Sequence, residues 1–561
     1  MDTGKFKSQS SGDWFKRYMD VIIHGESDHW EQTHLMYESL PKVTLSALTE
    51  TGQEESSIPV PKQRRYTGSK PVISSSLAGT LCSDLGVDGM LEQLNTTLGT
   101  SYTLETPGLS FLLNSYISKN YDFDSQYVRE ARDQEMRHDV LGNERIISHW
   151  VPPRRVWDLY SNRVTPCWIS QQMPWGISHA WMNEGDRKNV LTPINREEWP
   201  APIPCDANLD LIRIEMLNAG AEYVWLDVLC LRQKGGPGEG LRAEEWKLDV
   251  PTIGWVYYRA KKVVCYFCGL GLPLSFKVED DFDDDRCWFR RAWTLQEIHE
   301  DMIMGGKTSD GMIMQADTQA RFNKELSSLQ SIRDPSRRSV FDLLSLMQSR
   351  VSSYPVDKVA GLVYPLVRKT TPVYNWTQSE EDAWTALVNE MNGHYGGQML
   401  FLYSAQGNGR KFWRPSWKQA MTEKLPSSAK LATLWSWVCH TEEMDDSYEG
   451  PLIESCYVQG LAQRDLEGRP RWGQLVVEDG TDARTKGVFA ITATHEYMIP
   501  DGSYTLLGST AISDDVMYWV VGERLSDQRF KKLSVFEMPG REEQLKLKKL
   551  GIAKESRTFL A

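Results

Sequence analysis

Three stretches of this chain place acid–base or nucleophilic side chains where alternating strands and helices would expose them. Asp227 directly follows the apolar run Tyr223-Val224-Trp225-Leu226 and precedes Val228-Leu229-Cys230-Leu231-Arg232-Gln233. Such a run reads as a buried strand, and in a parallel sheet ligands collect in the crevice outside the carboxyl ends of the strands. Ser178 and His179 close a second candidate strand, Trp175-Gly176-Ile177-Ser178-His179. A carboxylate, a hydroxyl and an imidazole could therefore converge on one crevice. The same residues read equally as a helix cap at Asp227 and a turn closed by Ser178. The third stretch is Arg290-Arg291-Ala292-Trp293-Thr294-Leu295-Gln296-Glu297. On a helix, Trp293 and Glu297 share a face, and an indole wall would desolvate the acid and raise its pKa toward a catalytic range. The alternative is an ion pair of Glu297 with Arg290 or Arg291 beside a core tryptophan. Cys230 with His179 would make the nucleophile and base of a cysteine hydrolase, but the sequence shows neither an orienting partner nor an activating environment for the thiol.

Other motif-like fragments carry less. Asp281, Asp283, Asp284 and Asp285 resemble a calcium loop, yet Arg286 occupies the position that requires glycine and Ala292 the one that requires glutamate. Favourable charge at the start of a helix over Arg286–His299 accounts for them better. Cys265-Tyr266-Phe267-Cys268 is a lone pair of thiols with no second pair at zinc spacing, so core thiols are expected and no metal. Gly305-Gly306-Lys307-Thr308 mimics the end of a phosphate loop, but Asp301 stands where its first glycine belongs. No Gly-x-Gly-x-x-Gly fingerprint is present, which disfavours an ordinary dinucleotide-binding dehydrogenase.

The elements that must position these residues follow from periodicity. Asn208 to Asn218 has Leu209, Ile212, Met216 and Leu217 at helical spacing and stops at Ala219-Gly220. Glu244 to Tyr258 predicts a helix that Pro251 interrupts, and Lys262-Val263-Val264-Cys265-Tyr266-Phe267 a further strand. Short apolar strands separated by helices imply a parallel sheet covered on both faces, over residues 146–335. Before it, residues 1–145 read as an extension. Its stretch 40–80, rich in Ser, Thr, Pro and Gly, reads as a linker or loop. Residues 85–145 read as helical, with Leu109, Phe111, Leu112, Tyr116 and Ile117 as an apolar stripe. After it, residues 336–450 read as helical, with Phe341, Leu343, Leu344 and Leu346 in one helix and Trp384, Leu387 and Met391 in another. The last segment, 451–561, carries short β-rich runs at 474–477, 487–491 and 518–522 that suggest a small antiparallel sheet or barrel.

Composition bounds the partners. The 561 residues predict about three or four compact units. With 40% hydrophobic and 25% charged residues, the chain can bury a sizeable core. A net charge of −13 repels phosphate backbones, so nucleic-acid binding is disfavoured. The basic stretch Lys531, Lys532, Lys546, Lys548 and Lys549 is diluted by Glu542 and Glu543 and reads as a solvated helix face. There is no leader-like apolar segment and no run long enough to span a membrane, which predicts a cytoplasmic protein. Nine scattered cysteines fit reduced thiols, and the sequons at Asn95 and Asn375 are then chance matches.

The three stretches, in this order, resemble the fungal heterokaryon-incompatibility (HET) domain family. Gly176-Ile177-Ser178-His179-Ala180-Trp181 resembles its first block. Tyr223-Val224-Trp225-Leu226-Asp227-Val228-Leu229-Cys230-Leu231-Arg232-Gln233 is similar to its second, usually Trp-Ile-Asp-x-Leu-Cys-Ile-x-Gln. Arg291-Ala292-Trp293-Thr294-Leu295-Gln296-Glu297 is similar to its third, of Arg-Gly-Trp-x-x-Gln-Glu type. Met182 and Ala292 stand where the family usually has glycine. The resemblance implies Ser178, Trp181, Trp225, Asp227, Cys230, Gln233, Arg291, Trp293, Gln296 and Glu297 as family-motif residues. It also implies a TIR-like, flavodoxin-like sheet with flanking helices, and a part in allorecognition and programmed cell death. The partners it implies are the chain itself or other death-signalling proteins. Some TIR domains consume NAD through a glutamate and others act only by self-association. No local motif aligns that glutamate here, so Glu297 as catalytic carboxylate, with Ser178, His179 and Asp227 as ligand-binding groups, is a reading from chemistry. On that reading NAD is a substrate and no cofactor is needed.

Overall fold

The computed structural model describes residues 40–119, 122–123, 141–142, 145–146, 151–170, 172–276, 279–284, 287–308, 315–331, 333, 338–367, 370–426, 434–440, 446–463, 469–478, 486–510 and 516–561. The chain divides into two compact units, Met1–Gln330 with Val373–Asn375, and Ser331–Pro372 with Trp376–Ala561. No helix among the described residues is long and apolar enough to cross a membrane, and all nine cysteines are free thiols.

The first unit opens with an antiparallel hairpin of β1 (Val43–Ser46) and β2 (Arg65–Gly68), followed by α1 (Cys82–Leu98) and α2 (Leu109–Ser118). Leu113 is buried against Cys82 and Met90, with Leu109, Tyr116 and Ile117 beside it. The apolar stripe therefore runs through Leu113, and Phe111, expected within it, is 83% exposed. Then come the hairpin β3 (Arg155–Asp158) and β4 (Arg163–Pro166), strand β5 (Trp175–His179), helix α3 (Leu209–Ala219) and strand β6 (Tyr223–Trp225). Helices α4 (Arg242–Asp249) and α5 (Ile253–Arg259) are separated at Pro251, as proline's missing N–H requires. Strands β7 (Val263–Tyr266) and β8 (Met302–Met304) and helix α6 (Ala316–Ser331) complete the unit.

Six of these strands form one sheet in the order β8-β7-β5-β6-β3-β4. Strands β8, β7, β5 and β6 are parallel, whereas β3 and β4 are antiparallel additions. The sheet is thus mixed rather than wholly parallel, because the Arg155–Pro166 hairpin turns back at Asn162 before the first parallel strand begins. Within the parallel part, the chain goes from β5 outward to β6, then returns to the other side of β5 for β7 and β8. Both Ile177 and Ser178 are fully buried; since successive strand residues face opposite ways, both faces of β5 are covered. Gly176 permits this on one face. A Cβ there would meet the Tyr257 ring at 2.8 Å, and the Tyr257 hydroxyl donates to the Ile177 carbonyl at 2.9 Å.

Helix α3 shows why the stretch 40–80 is not a linker. Asn208 caps its start and Gly220, in the left-handed region, ends it. Eight of its eleven residues are buried, Arg213 and Glu215 included. The outer side is covered by the β1–β2 segment. Arg213 Nη2 donates to the Ile73 carbonyl at 2.8 Å, Gln63 donates to Glu215 at 2.7 Å, and Asn218 donates to the Lys62 and Arg65 carbonyls at 2.8 Å. Polar composition marked this segment as loop, but its backbone groups find partners on a helix about 150 positions later.

The second unit begins with helices α7 (Val340–Gln348), α8 (Glu380–Glu390), α9 (Gly393–Leu402) and α10 (Trp417–Thr422). Phe341, Leu343, Leu344, Trp384 and Leu387 are buried as expected. Strands β9 (Asp446–Gln459), β10 (Arg471–Glu478), β11 (Lys486–Ala493), β12 (Gly502–Gly508), β13 (Val516–Arg524) and β14 (Phe530–Pro539) follow. They pair in the order β9-β10-β11-β14-β13-β12, and β12 pairs β9 again, closing a barrel. Its interior holds Val458, Leu475, Phe489, Leu506, Trp519 and Phe536. Helix α11 (Arg541–Lys549) contributes Leu547 to that core, and β15 (Lys554–Leu560) pairs with β9. Lys546, Lys548 and Lys549 are exposed on α11, but Lys532 is fully buried on β14. The basic stretch is therefore not one solvated face: Lys532 points inward and donates to the Met399, Leu400 and Tyr403 carbonyls at the end of α9.

Candidate functional site

The candidate residues meet at the carboxyl ends of β5, β6 and β7. Strand β5 pairs with β7 so that Ser178 lies opposite Cys265 and His179 opposite Tyr266. Because they are adjacent on a strand, Ser178 and His179 project to opposite faces. They build two separate networks instead of the single cluster that their proximity in sequence suggested.

On one face, His179 Nε2 lies 2.8 Å from Asp227 Oδ1, and Trp181 Nε1 donates to Asp227 Oδ2 at 2.8 Å. The Val228 amide donates to the same carboxylate at 2.7 Å, so Asp227 serves the turn Asp227–Cys230 as well as the two side chains. The rings of His179 and Trp181 stack with centroids 5.8 Å apart. Nδ1 of His179 faces the Ala180 carbonyl at 3.3 Å. Both imidazole nitrogens thus face acceptors, which favours the doubly protonated ring. Burial opposes that charge, but the Asp227 carboxylate, its hydrogen bond and the more distant Glu297 outweigh burial and raise the pKa above 6.5. Burial likewise opposes ionisation of Asp227, and His179, Trp181 and the Val228 amide together bring it below 3.8. Both shifts favour the charged pair over the neutral one, and its more open member is Asp227, with a side chain 18% exposed against 4% for His179.

On the other face, the Ser178 hydroxyl donates to Glu297 Oε2 at 2.5 Å and accepts from Trp288 Nε1 at 2.7 Å. Ser178 and Trp288 are fully buried, and Glu297 is 7% exposed. A hydroxyl-to-carboxylate bond of this length belongs to the strong, charge-assisted class. Tyr257 lies in reach of both carboxylates. Burial, then Glu297 and Asp227, push its phenol well above 10, so it is a neutral donor to Ile177.

The route by which Glu297 arrives differs from the expected helix over Arg286–His299. Asp285 and Arg286 lie outside the described residues. The rest forms two 3-10 turns, Trp288–Arg290 and Trp293–Gln296, broken at an extended Arg291 (φ −80°, ψ 135°). The Thr294 hydroxyl sits 2.8 Å from both the Trp288 and the Arg291 carbonyls, a local bond that competes with helical pairing. Trp293 and Glu297 are consequently not helical neighbours. Trp293 packs near Tyr374, with ring centroids 6.3 Å apart, and the indole tied to the Glu297 network is Trp288. With no helix following, Asp281, Asp283 and Asp284 are not an N-terminal charge cluster; Asp283 pairs with Arg321 at 2.8 Å.

The remaining motif residues support rather than line the site. Trp225 is buried edge-on to Tyr257, with centroids 5.5 Å apart. Gln233 Nε2 donates to the Leu231 and Asp227 carbonyls, tying down the loop after β6. Gln296 is buried, and its amide nitrogen and oxygen have no hydrogen-bond partner among the described residues. Cys230 is buried, its thiol pushed up to about 12 by that burial, and His179 is already engaged by Asp227. Thiolate catalysis has no support in this geometry. Cys265 is buried in β7 and Cys268 shares hydrogen bonds with Ser275. Gly306 donates its amide to Glu215 at 2.9 Å, so the phosphate-loop mimic is a packing turn.

Sequence reasoning missed Trp288 and a cluster beside β3. There Arg155 and Arg232 stack on Trp199 with guanidinium-to-centroid distances of 5.1 and 4.9 Å, and Arg155 makes a two-pronged bond to Glu245 at 2.8 and 2.9 Å. Arg232 and Gln233 adjoin in the second motif block, which was the available signal. Comparison of the chain with protein-family models, with curated proteins and with solved structures gives no match.

Proposed function

We propose that the α/β unit is a signalling domain of the heterokaryon-incompatibility type, TIR-like in plan. It acts in the cytoplasm of a fungal cell in allorecognition and programmed cell death, through cleavage of a nicotinamide nucleotide such as NAD. One observation carries the reading: three motif blocks distant in sequence hydrogen-bond to each other at the strand ends, Ser178 to Glu297 and His179 to Asp227. The order β8-β7-β5-β6 also supports it, since the direction of winding reverses beside β5. That is where a flavodoxin-like sheet opens its ligand crevice.

In the proposed reaction the bond between ribose C1′ and the pyridinium nitrogen breaks, and its electron pair leaves with nicotinamide, neutralising the ring. The sugar cation that develops is stabilised by the Glu297 carboxylate, as in glycoside cleavage. Water adds to C1′ and gives its proton to that carboxylate. Asp227, the less buried acid, holds ribose hydroxyls; Ser178, fully buried, is the positioning residue that orients Glu297. The deep burial of Glu297 favours a second reading, in which both networks only stiffen a self-associating module.

The test follows NAD over time after induced expression in a fungal host and in the purified full chain, with Glu297→Gln alongside. The catalytic reading expects NAD to fall before death and the variant, folded by circular dichroism, to lose turnover about a hundredfold or more. Death at unchanged NAD, with toxicity tracking oligomer size, would replace it with assembly.

A further inference from the structure

One guanidinium beside the strand-end site is left unanswered. After β5 the chain passes through Trp181 and an exposed turn, Glu184–Asp186, and Arg187 then opens a short hairpin of Arg187–Val190 with Ala201–Pro204. The pairing of Arg187 with Pro204, and the bond from the Cys205 amide to the Asp186 carbonyl at 3.0 Å, fix the backbone there. The Arg187 guanidinium carbon lies 5.7 Å from the centroid of a Trp181 ring. That same indole donates its N–H to Asp227 at 2.8 Å. Trp181 therefore bridges the guanidinium to the less buried acid of the site.

Arg187 is only partly exposed, and its Nε is shut off from solvent with no hydrogen-bond partner among the described residues. Native folds rarely leave a buried donor unanswered. Stacking on an indole fixes a guanidinium by its face and leaves its N–H edge for a partner. The charges on this face select that partner. His179 and Asp227 answer each other at 2.8 Å, so Arg187 is the surplus cation. Glu184 and Asp186, in the preceding turn, are exposed and form no ion pair with it. A planar fork of donors matches the oxygens of a phosphate group two at a time. Asp227, with its side chain 18% exposed, offers an acceptor to hydroxyls on the other side of Trp181. A ligand that joins the two has hydroxyls at one end and an anionic group at the other.

We propose that Arg187 is the phosphate anchor of the strand-end site and that the ligand is a sugar phosphate, its phosphate on the Arg187 fork and its hydroxyls on Asp227. The hydroxyl placement rests on the nucleotide reading above; the phosphate placement does not. Ribose 5-phosphate titrated into the full chain by calorimetry should bind saturably. Ribose, without the anion, should bind about tenfold more weakly or worse, and inorganic phosphate, without the hydroxyls, severalfold more weakly. Arg187→Gln should weaken ribose 5-phosphate about tenfold or more with little change in melting temperature, and Arg187→Lys, which keeps the charge but not the fork, should recover only part of the loss. In the cleavage assay Arg187→Gln should raise the KM for NAD about tenfold and leave kcat within about twofold, a split that a residue supporting only the fold would not give. Ribose 5-phosphate held through Arg187 by a protein that leaves NAD intact would sink the cleavage reading and keep the anchor. NAD cleaved with the same KM by wild type and Arg187→Gln would do the reverse. Equal affinity for ribose 5-phosphate and either ribose or inorganic phosphate, no saturable binding, or unchanged affinity in Arg187→Gln would overturn the proposal.

Discussion

Replacing Asp227 by asparagine tests the geometry at the strand ends most directly. The carboxylate takes three donors at 2.7–2.8 Å, from His179, Trp181 and the Val228 amide. Asparagine offers one acceptor oxygen, and its amide must then face one of those donors. The His179 cation is also left without its counter-charge beneath a nearly closed surface. Breaking a buried ion pair from one side costs about 3–5 kcal/mol. Because the Asp227 side chain is 18% exposed, the lower end applies: about 3 kcal/mol, or roughly 4–6 °C in the melting temperature of a unit of this size. The pH dependence has a defined sign. The folded pKa of His179 is raised above 6.5, so its contribution is full below pH 6.5 and is lost as pH rises through the folded value. That of Asp227 is depressed below 3.8, so its contribution is present above pH 3.8 and is lost as pH falls through the folded value. The pair is therefore strongest between those limits. Calorimetric melts of wild type and Asp227→Asn at pH 5.5 and pH 9 should show a large gap at the first and a smaller one at the second. A gap of the same size at both pH values, or none at pH 5.5, would refute the charged-pair assignment.

Two further outcomes follow from buried ionisable side chains outside the site. Burial works against ionised Glu245, but the Arg155 fork, with Arg154 and Arg232, brings it down to about 2 from 4.5. This contributes about 3 kcal/mol above pH 4.5 that is lost as pH falls through 2; Glu245→Gln should lower the urea midpoint at pH 7, with the deficit shrinking at pH 3. In the second unit, Lys532→Met leaves the Met399, Leu400 and Tyr403 carbonyls without their shared donor. At about 1–3 kcal/mol for each buried group left unpaired, the barrel transition should move down by several degrees, and an unchanged transition would show that these carbonyls find other partners.

What the sequence disclosed depended on how local the cause was. Helix α3 was legible because Asn208, its apolar spacing and Gly220 all lie within the element. Strand β5 was legible too. Its period of two already implied that Ser178 and His179 part to opposite faces, although one crevice was expected for both. Glu297 was expected beside Trp293 on a helix, and that reading of 286–299 could not foresee Thr294 bonding back to Trp288 and Arg291. Lys532 sat in a basic run whose meaning depended on strand alternation, which turns it inward beside the partly exposed Lys531. The loop-like composition of 40–80 concealed ties to Arg213, Glu215 and Asn218 that only the folded chain reveals.

The two acids at the strand ends are not interchangeable, and their partners explain why. Asp227 faces a cation, so its charge is largely answered by His179 before any ligand arrives. It can accept hydrogen bonds from a sugar at its exposed edge, but it has little field left for a developing positive charge. Ser178 is a neutral donor to Glu297: it fixes the direction of the carboxylate without cancelling its charge. Trp288 fixes Ser178 in turn, for its N–H occupies the hydroxyl oxygen and leaves the hydroxyl hydrogen for Glu297. The segment from Trp288 to Glu297 is thereby tied to residue 178 at both ends. In the proposed reaction the stabilising acid is then Glu297 and not Asp227. Glu297 is only 7% exposed, so in that reaction a sugar reaches it only once its cover opens, and the two bonds at Ser178 set the direction the carboxylate then faces.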